Sequence, residues 1–191
     1  ASTERMRGVI SIIGLIFLAV AAVVCIKSPA YGSLSDLLQF DSFSKFFLLF
    51  VVLASGMTML TASQSAEISP RRFPEFTALL FTIGIGISFM AAAQDLLLAY
   101  LAMETVSLSS YILTGFKRTH QASHEAALKY VIFGGVASGV MVFGMSLLYG
   151  ITGTTSFSGI AQALINLNSS VPVSNQMSVL AIIVSLMMVF T

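Results

Sequence analysis

Five stretches of this chain are apolar for long enough to cross a lipid bilayer and a sixth begins before Thr191, and they leave little sequence between them for anything else. Span A covers 8–26, B 43–61, C 76–93, D 96–116 and E 125–150; span F starts near 177 and is still apolar at Thr191. A crossing takes about 20 residues. Lipid gives backbone amides no partner outside their own chain, so such spans must be helices. Composition agrees: of 191 residues, 57% are hydrophobic and only 9% charged, against roughly 25% charged in soluble domains. The expected fold is an all-α integral membrane protein of about six transmembrane helices, with 1–191 as a single transmembrane domain whose main partner is the lipid bilayer.

Other classes fall away. A net charge of +1 and the lack of any long basic cluster argue against a nucleic-acid partner. The lone Cys25 cannot form an intrachain disulfide. Arg5 and Arg7 precede span A as they would a signal peptide, but the apolar stretch exceeds the roughly 7–15 residues of an h-region and no Ala-x-Ala site closes it. Span A is read as retained. Ala1 in place of Met, and the unfinished apolar run at Thr191, predict an incomplete chain.

The links carry readable chemistry. Pro29, Gly32 and Ser33 break the chain after A, Pro70 and Pro74 bracket a charged turn before C, and Gln94–Asp95 make a tight reversal between C and D. Ser123 is the expected N-cap of helix E, with Glu125 in its first turn. The link 151–176 has no charged residue, and 157–164 is expected to form a short interfacial helix. Lys and Arg fall unequally: Arg5, Arg7, Arg71, Arg72, Lys117 and Arg118 share one side, Lys27 and Lys45 the other. The positive-inside rule then places the amino terminus in the cytoplasm.

Soluble-enzyme motifs are absent. Gly84-Ile85-Gly86 lacks the third glycine of a dinucleotide loop and sits in an apolar span, where small residues let helices approach. His120 and His124 have ligand-like spacing but no further ligand, so they read as loop residues and no metal site is expected.

Glu104 is different, because it sits near the middle of span D. An ionised acid at such depth costs roughly 2.5–3.5 kcal/mol on insertion scales. Tyr100, Ser107, Tyr111 and Thr114 lie at helical steps of three or four from it and form a polar stripe on one side. One reading is a permanently protonated structural acid held by hydroxyls; the other is a carboxyl on an ion route, the usual role of intramembrane acids. Lys129 lies near the start of span E, where it can snorkel to the headgroups. The small residues that follow it, Gly134, Gly135, Ala137, Ser138 and Gly139, point to close helix packing and favour a lysine that meets polar groups or internal water. Glu104 is about 18 Å from the end of D and Lys129 about 6 Å inside E. A direct salt bridge is therefore not expected; water or another ionisable residue would connect them.

The stretch from Glu104 to Phe116 (ETVSLSSYILTGF), the run Ser123 to Tyr130 (SHEAALKY), the small residues after it, and Tyr149-Gly150-Ile151-Thr152-Gly153 resemble the antiporter-like membrane subunits of respiratory complex I, most of all the N-type subunit. The specific part covers Asp95 to Gly153. The resemblance implies a larger antiporter-like bundle of about fourteen helices built from inverted repeats, with Glu104 as the characteristic glutamate and Lys129 as the first buried lysine of a proton relay. It implies other complex I membrane subunits as partners. No cofactor is expected in this chain; NADH, FMN, iron–sulfur clusters and quinone belong to partner subunits. Two alternatives stay open, a subunit of a multisubunit Na⁺/H⁺ antiporter and a non-transporting membrane scaffold.

Overall fold

A computed structural model describes residues 2–27, 33–35, 37–170, 183–185 and 187–189. Its elements follow the hydropathy: α1 (Ser2–Lys27), α2 (Ser42–Gln64), α3 (Phe73–Ala92), α4 (Leu96–Thr114), α5 (Gln121–Thr152) and α6 (Phe157–Ser170). Among the described residues five helices, α1 to α5, are long and apolar enough to cross a membrane. They correspond to spans A to E. Span F lies largely outside the described residues. Its described parts, 183–185 and 187–189, are helical and press on α5, where a Cβ at Gly144 would lie 2.6 Å from Met188 Cβ and 2.9 Å from the Ser185 carbonyl.

Helix boundaries have local causes. Asp41 caps α2 by accepting from the Ser44 amide at 2.8 Å, and the Ser44 amide and hydroxyl hold its carboxyl below the ordinary carboxylate range. Pro74 sits in the first turn of α3, where its missing amide proton costs nothing. The α5 helix stops at Gly153, whose φ of 70° is the left-handed conformation of a helix C-terminus and one that glycine adopts without strain. The helix α6 is amphipathic and longer than the expected 157–164 segment.

Two sequence expectations need correction. The α5 helix begins at Gln121 with His120 as N-cap, rather than at Ser123; the Ser123 hydroxyl instead donates to the Thr114 carbonyl at 2.6 Å and ties α5 to the end of α4. A small antiparallel hairpin pairs β1 (Ser33–Ser35) with β2 (Leu38–Gln39) between α1 and α2 and leaves the all-α class intact. Arg7 is not a flanking loop charge. It lies within α1, is 8% exposed, and donates through Nη2 to the Ala62 and Ser65 carbonyls at the end of α2, at 2.5 and 2.6 Å. Its guanidinium also lies 5.4 Å from the centroid of Phe73.

The helices pack in sequence order, α1 on α2, α2 on α3, α3 on α4 and α4 on α5. One apolar cluster joins Met59 and Ala62 to Phe73 and Leu80. A second joins Leu96 to Met145, Leu148 and Ile160, with Tyr100 and Met141 against it. Beyond the second cluster, three links meet in a belt of backbone bonds. The Gln94 amide donates to Leu37, Leu96 to Thr155 and Phe157 to Gln94. Asp95, buried, caps α4 through the Leu97 and Leu98 amides and accepts from Thr155 Oγ1 at 2.5 Å. Arg71, Arg72, Lys117 and Arg118 gather around one cavity at the other end of α4, so the two ends of the bundle differ sharply in charge.

Candidate functional site

The α3 and α4 helices make the most extensive contact in the bundle, and a glycine explains why they come so close. A Cβ at Gly86 would lie 2.7 Å from Val106 Cγ2 and 3.0 Å from the Ala102 carbonyl. Ala102 and Val106 bracket Glu104, so the backbone of α3 presses on the turn that carries the acid and fixes its height in the bundle. The hydroxyls of Thr105, Ser109 and Thr114 bond to carbonyls one turn back in α4. That pattern lets a hydroxyl-rich helix satisfy its own polar groups in an apolar setting.

The stripe expected beside Glu104 lies along the α4–α5 seam. At one end Tyr100 packs against the cluster that contains Met145 of α5. At the other, the Tyr111 and Tyr130 rings meet edge to face at 4.7 Å, Ser110 Oγ lies 3.3 Å from the Tyr130 hydroxyl, and Thr114 receives the Ser123 bond. Glu104 and Ser107 stand between these contacts on the same helical face. Tyr100, one turn back, is close enough for its hydroxyl to interact with the Glu104 carboxylate. Even so, Glu104 Oε1 is buried and has no hydrogen-bond partner among the described residues. A buried acceptor left this way is uncommon, because its desolvation goes uncompensated. The carboxyl therefore has capacity for a proton or for a donor from elsewhere.

Lys129 is not brought to Glu104. The α5 residues facing α4 are Ser123, Ala127, Tyr130 and Gly134; Lys129 is displaced from them by roughly 140° at 3.6 residues per turn. It is exposed and pairs with Glu125, one turn back on the same side, at 2.5 Å. Because α5 starts at Gln121, Lys129 is about 12 Å inside the helix, deeper than the sequence suggested. The small-residue patch divides along the same line. Gly134 lies under the Tyr111 ring, whereas Gly135 and Gly139 meet no atom of the described chain within 4 Å. Ser138 is half-buried and bonds its own helix at the Gly134 carbonyl. Of the three glycines in the patch, Gly134 alone makes the expected close packing within the described chain.

His120 lines the basic cavity, and His124 Nε2 lies 2.9 Å from the Arg118 carbonyl. Among the described residues no three His, Cys, Asp or Glu side chains come together as metal ligands would.

Fold and site define a multi-pass helical membrane protein with a half-buried glutamate on α4, one of whose oxygens is buried and unpartnered among the described residues. Residues 93–191 match the family described as NADH:quinone oxidoreductase/Mrp antiporter, TM, and the chain belongs to that family. It is 41% identical over 172 residues to NADH-quinone oxidoreductase subunit N of Anaeromyxobacter sp. (strain Fw109-5), covering 90% of this chain and 33% of that one. It is 40% identical over 147 residues to NADH-quinone oxidoreductase subunit N of Geobacillus kaustophilus (strain HTA426), covering 76% of this chain and 29% of the relative. The chain thus spans about a third of the length of these curated relatives. In fold, 98% of it superposes on 42% of a chain of respiratory complex I from Thermus thermophilus, with a TM-score of 0.68 at 23% identity. The same share superposes on 40% of a chain of the membrane-bound sulfane sulfur reductase, an archaeal respiratory membrane complex, with a TM-score of 0.75 at 18% identity. Apolar helices and bacterial relatives together place it as a multi-pass protein of a bacterial inner membrane.

Proposed function

We propose that this chain is part of a proton-translocating subunit of an NADH:quinone oxidoreductase, in which Glu104 and Lys129 belong to the relay that carries protons through the membrane. The observation that supports it most is Glu104 on α4, half-buried, with its Oε1 atom buried and unpartnered among the described residues. An acid so placed can take a proton from one side and release it to the other. The charge of a neighbouring group alters how tightly it is held. Lys129, on the far face of α5, would take part through water or ionisable groups outside the described residues, with Glu125 as its resting partner. Energy for transport would come from redox chemistry in partner membrane and peripheral subunits, which hold the NADH, FMN, iron–sulfur and quinone sites. The NADH-quinone oxidoreductase names of the curated relatives favour this reading over a Na⁺/H⁺ antiporter subunit or a scaffold.

The test is Glu104→Gln in the full-length subunit. The amide keeps the shape and removes the titratable proton, so proton pumping should fall strongly while the complex still assembles. Pumping at wild-type stoichiometry in the assembled variant would overturn the proposal.

A further inference from the structure

The basic end of the bundle holds two cavities that share residues. The first, of 390 Å³, lies at the turn before α3 and the link after α4, and is lined by Arg71, Arg72, Lys117 and Arg118 together with Glu67 and His120. The second, of 300 Å³, runs between the start of α3 and the end of α4, against Ala78, Leu79, Ile112 and Phe116. Phe116 and Arg118 line both, so the polar cavity continues into a largely apolar groove on the helix surface.

We propose that this composite site binds an anionic phospholipid, with its phosphate headgroup among the arginines and one acyl chain along the groove between α3 and α4. Charge supports it. Four cations stand against the carboxylates of Glu67 and Glu75, and Glu67 is already paired with Lys117. Arg72 spends one nitrogen on the Phe116 carbonyl at 3.2 Å, which fixes its guanidinium at the cavity wall. The Arg71 and Arg118 side chains are exposed and make no ion pair or hydrogen bond among the described residues, so their donors are open to a phosphate, which a planar guanidinium binds in bidentate fashion. The N-cap of α5, His120, makes no side-chain capping bond, so the positive end of a long helix borders the same space.

A free phosphate would use the first cavity and leave the second without a role. The adjoining groove, with Ile112 56% exposed, selects a ligand that carries a hydrocarbon tail. Basic pockets between membrane helices at the cytoplasmic face suit such headgroups. Proton relay through Glu104 is not required for this site.

The experiment uses the complex that contains the full-length subunit, in nanodiscs of phosphatidylcholine with phosphatidylglycerol bearing a photoreactive group on one acyl chain. Adducts should map to the peptides around Leu79 and Ile112. The same photoreactive chain on phosphatidylcholine should label these peptides much less, a comparison that needs no variant. The double variant R71Q/R118Q should lower labelling by roughly thirtyfold at unchanged assembly, and inorganic phosphate should not abolish it. Equal labelling by both lipids, undiminished labelling in the variant, loss of labelling to free phosphate, or adducts confined to a neighbouring subunit would each overturn the proposal.

Discussion

The Tyr111 ring on α4 lies over Gly134 on α5, so that a Cβ at position 134 would stand 2.7 Å from the phenol's Cζ. The same ring meets Tyr130 edge to face. Glycine at 134 therefore sets how closely the two helices approach at the end of the stripe that carries Glu104, and a phenol hydroxyl sits at the seam because no side chain competes for the place.

Gly134→Ala should consequently displace the Tyr111 ring and open the seam, at a cost of about 1–3 kcal/mol for overpacking. Gly139→Ala meets no atom of the described chain and should change little within it. Thermal unfolding of the purified protein in detergent separates the two. Adding Tyr111→Ala to Gly134→Ala should recover much of the strain, since the clash then disappears. Equal melting of both single variants would show that the ring does not define the contact.

Gly86→Ala should be harder to accommodate, because one of the atoms it meets is the Ala102 backbone carbonyl at 3.0 Å, which cannot swing aside as a side chain can. The helix that carries Glu104 must then move relative to α3. Alongside a loss of stability of about 1–3 kcal/mol, proton transport should fall relative to electron transfer in the assembled complex. Unchanged coupling would show that the height of Glu104 is held by other contacts.

Arg7→Ala removes two charge-assisted bonds to the Ala62 and Ser65 carbonyls at the end of α2, each bond worth about 1.5–3 kcal/mol. It also removes the stack on Phe73. Lower thermal stability and easier proteolysis between α1 and α2 are expected. Arg7→Lys should recover only part, since an ammonium keeps the charge but not the planar face. Wild-type melting of Arg7→Ala would mean that the clasp adds nothing.

What could be read from the sequence divides along a physical line. Hydropathy located α2 to α5, and the carboxyl end of α1, to within four residues, because lipid imposes length and apolarity on each helix separately. The Glu104 stripe was legible for the same reason: positions 100, 104, 107, 111 and 114 share a face whatever packs on it. Features that depend on a partner distant in the chain were not legible. Arg7 looked like a flanking charge because its acceptors, Ala62 and Ser65, lie two helices' length away. Ser123 has the chemistry of a cap, and the same hydroxyl is taken by the Thr114 carbonyl. Asp95 was read as part of a turn, while its bond to Thr155 needs the end of α5 to return beside it. The direction of Lys129 depends on how α5 is rotated against α4, and that rotation is set by Ser123, Ala127, Tyr130 and Gly134 together.

That rotation shapes the last prediction. An exposed Glu–Lys pair one turn apart contributes only about 0.2–0.5 kcal/mol to a helix, so neither Glu125→Gln nor Lys129→Ala should unfold α5 or prevent assembly. A lysine that serves only as an anchor would tolerate arginine, since both hold a positive head at the interface. A relay lysine must lose its proton, which arginine does not do near neutral pH. Lys129→Arg and Lys129→Ala should therefore both lower proton pumping, by less than Glu104→Gln, because water near the basic end of the bundle can stand in for a side chain there. Glu125→Gln should fall between Lys129→Ala and wild type, since it removes the partner and keeps the titrating group. Pumping by Lys129→Ala at the wild-type rate would identify the pair as an anchor and assign the relay to lysines elsewhere.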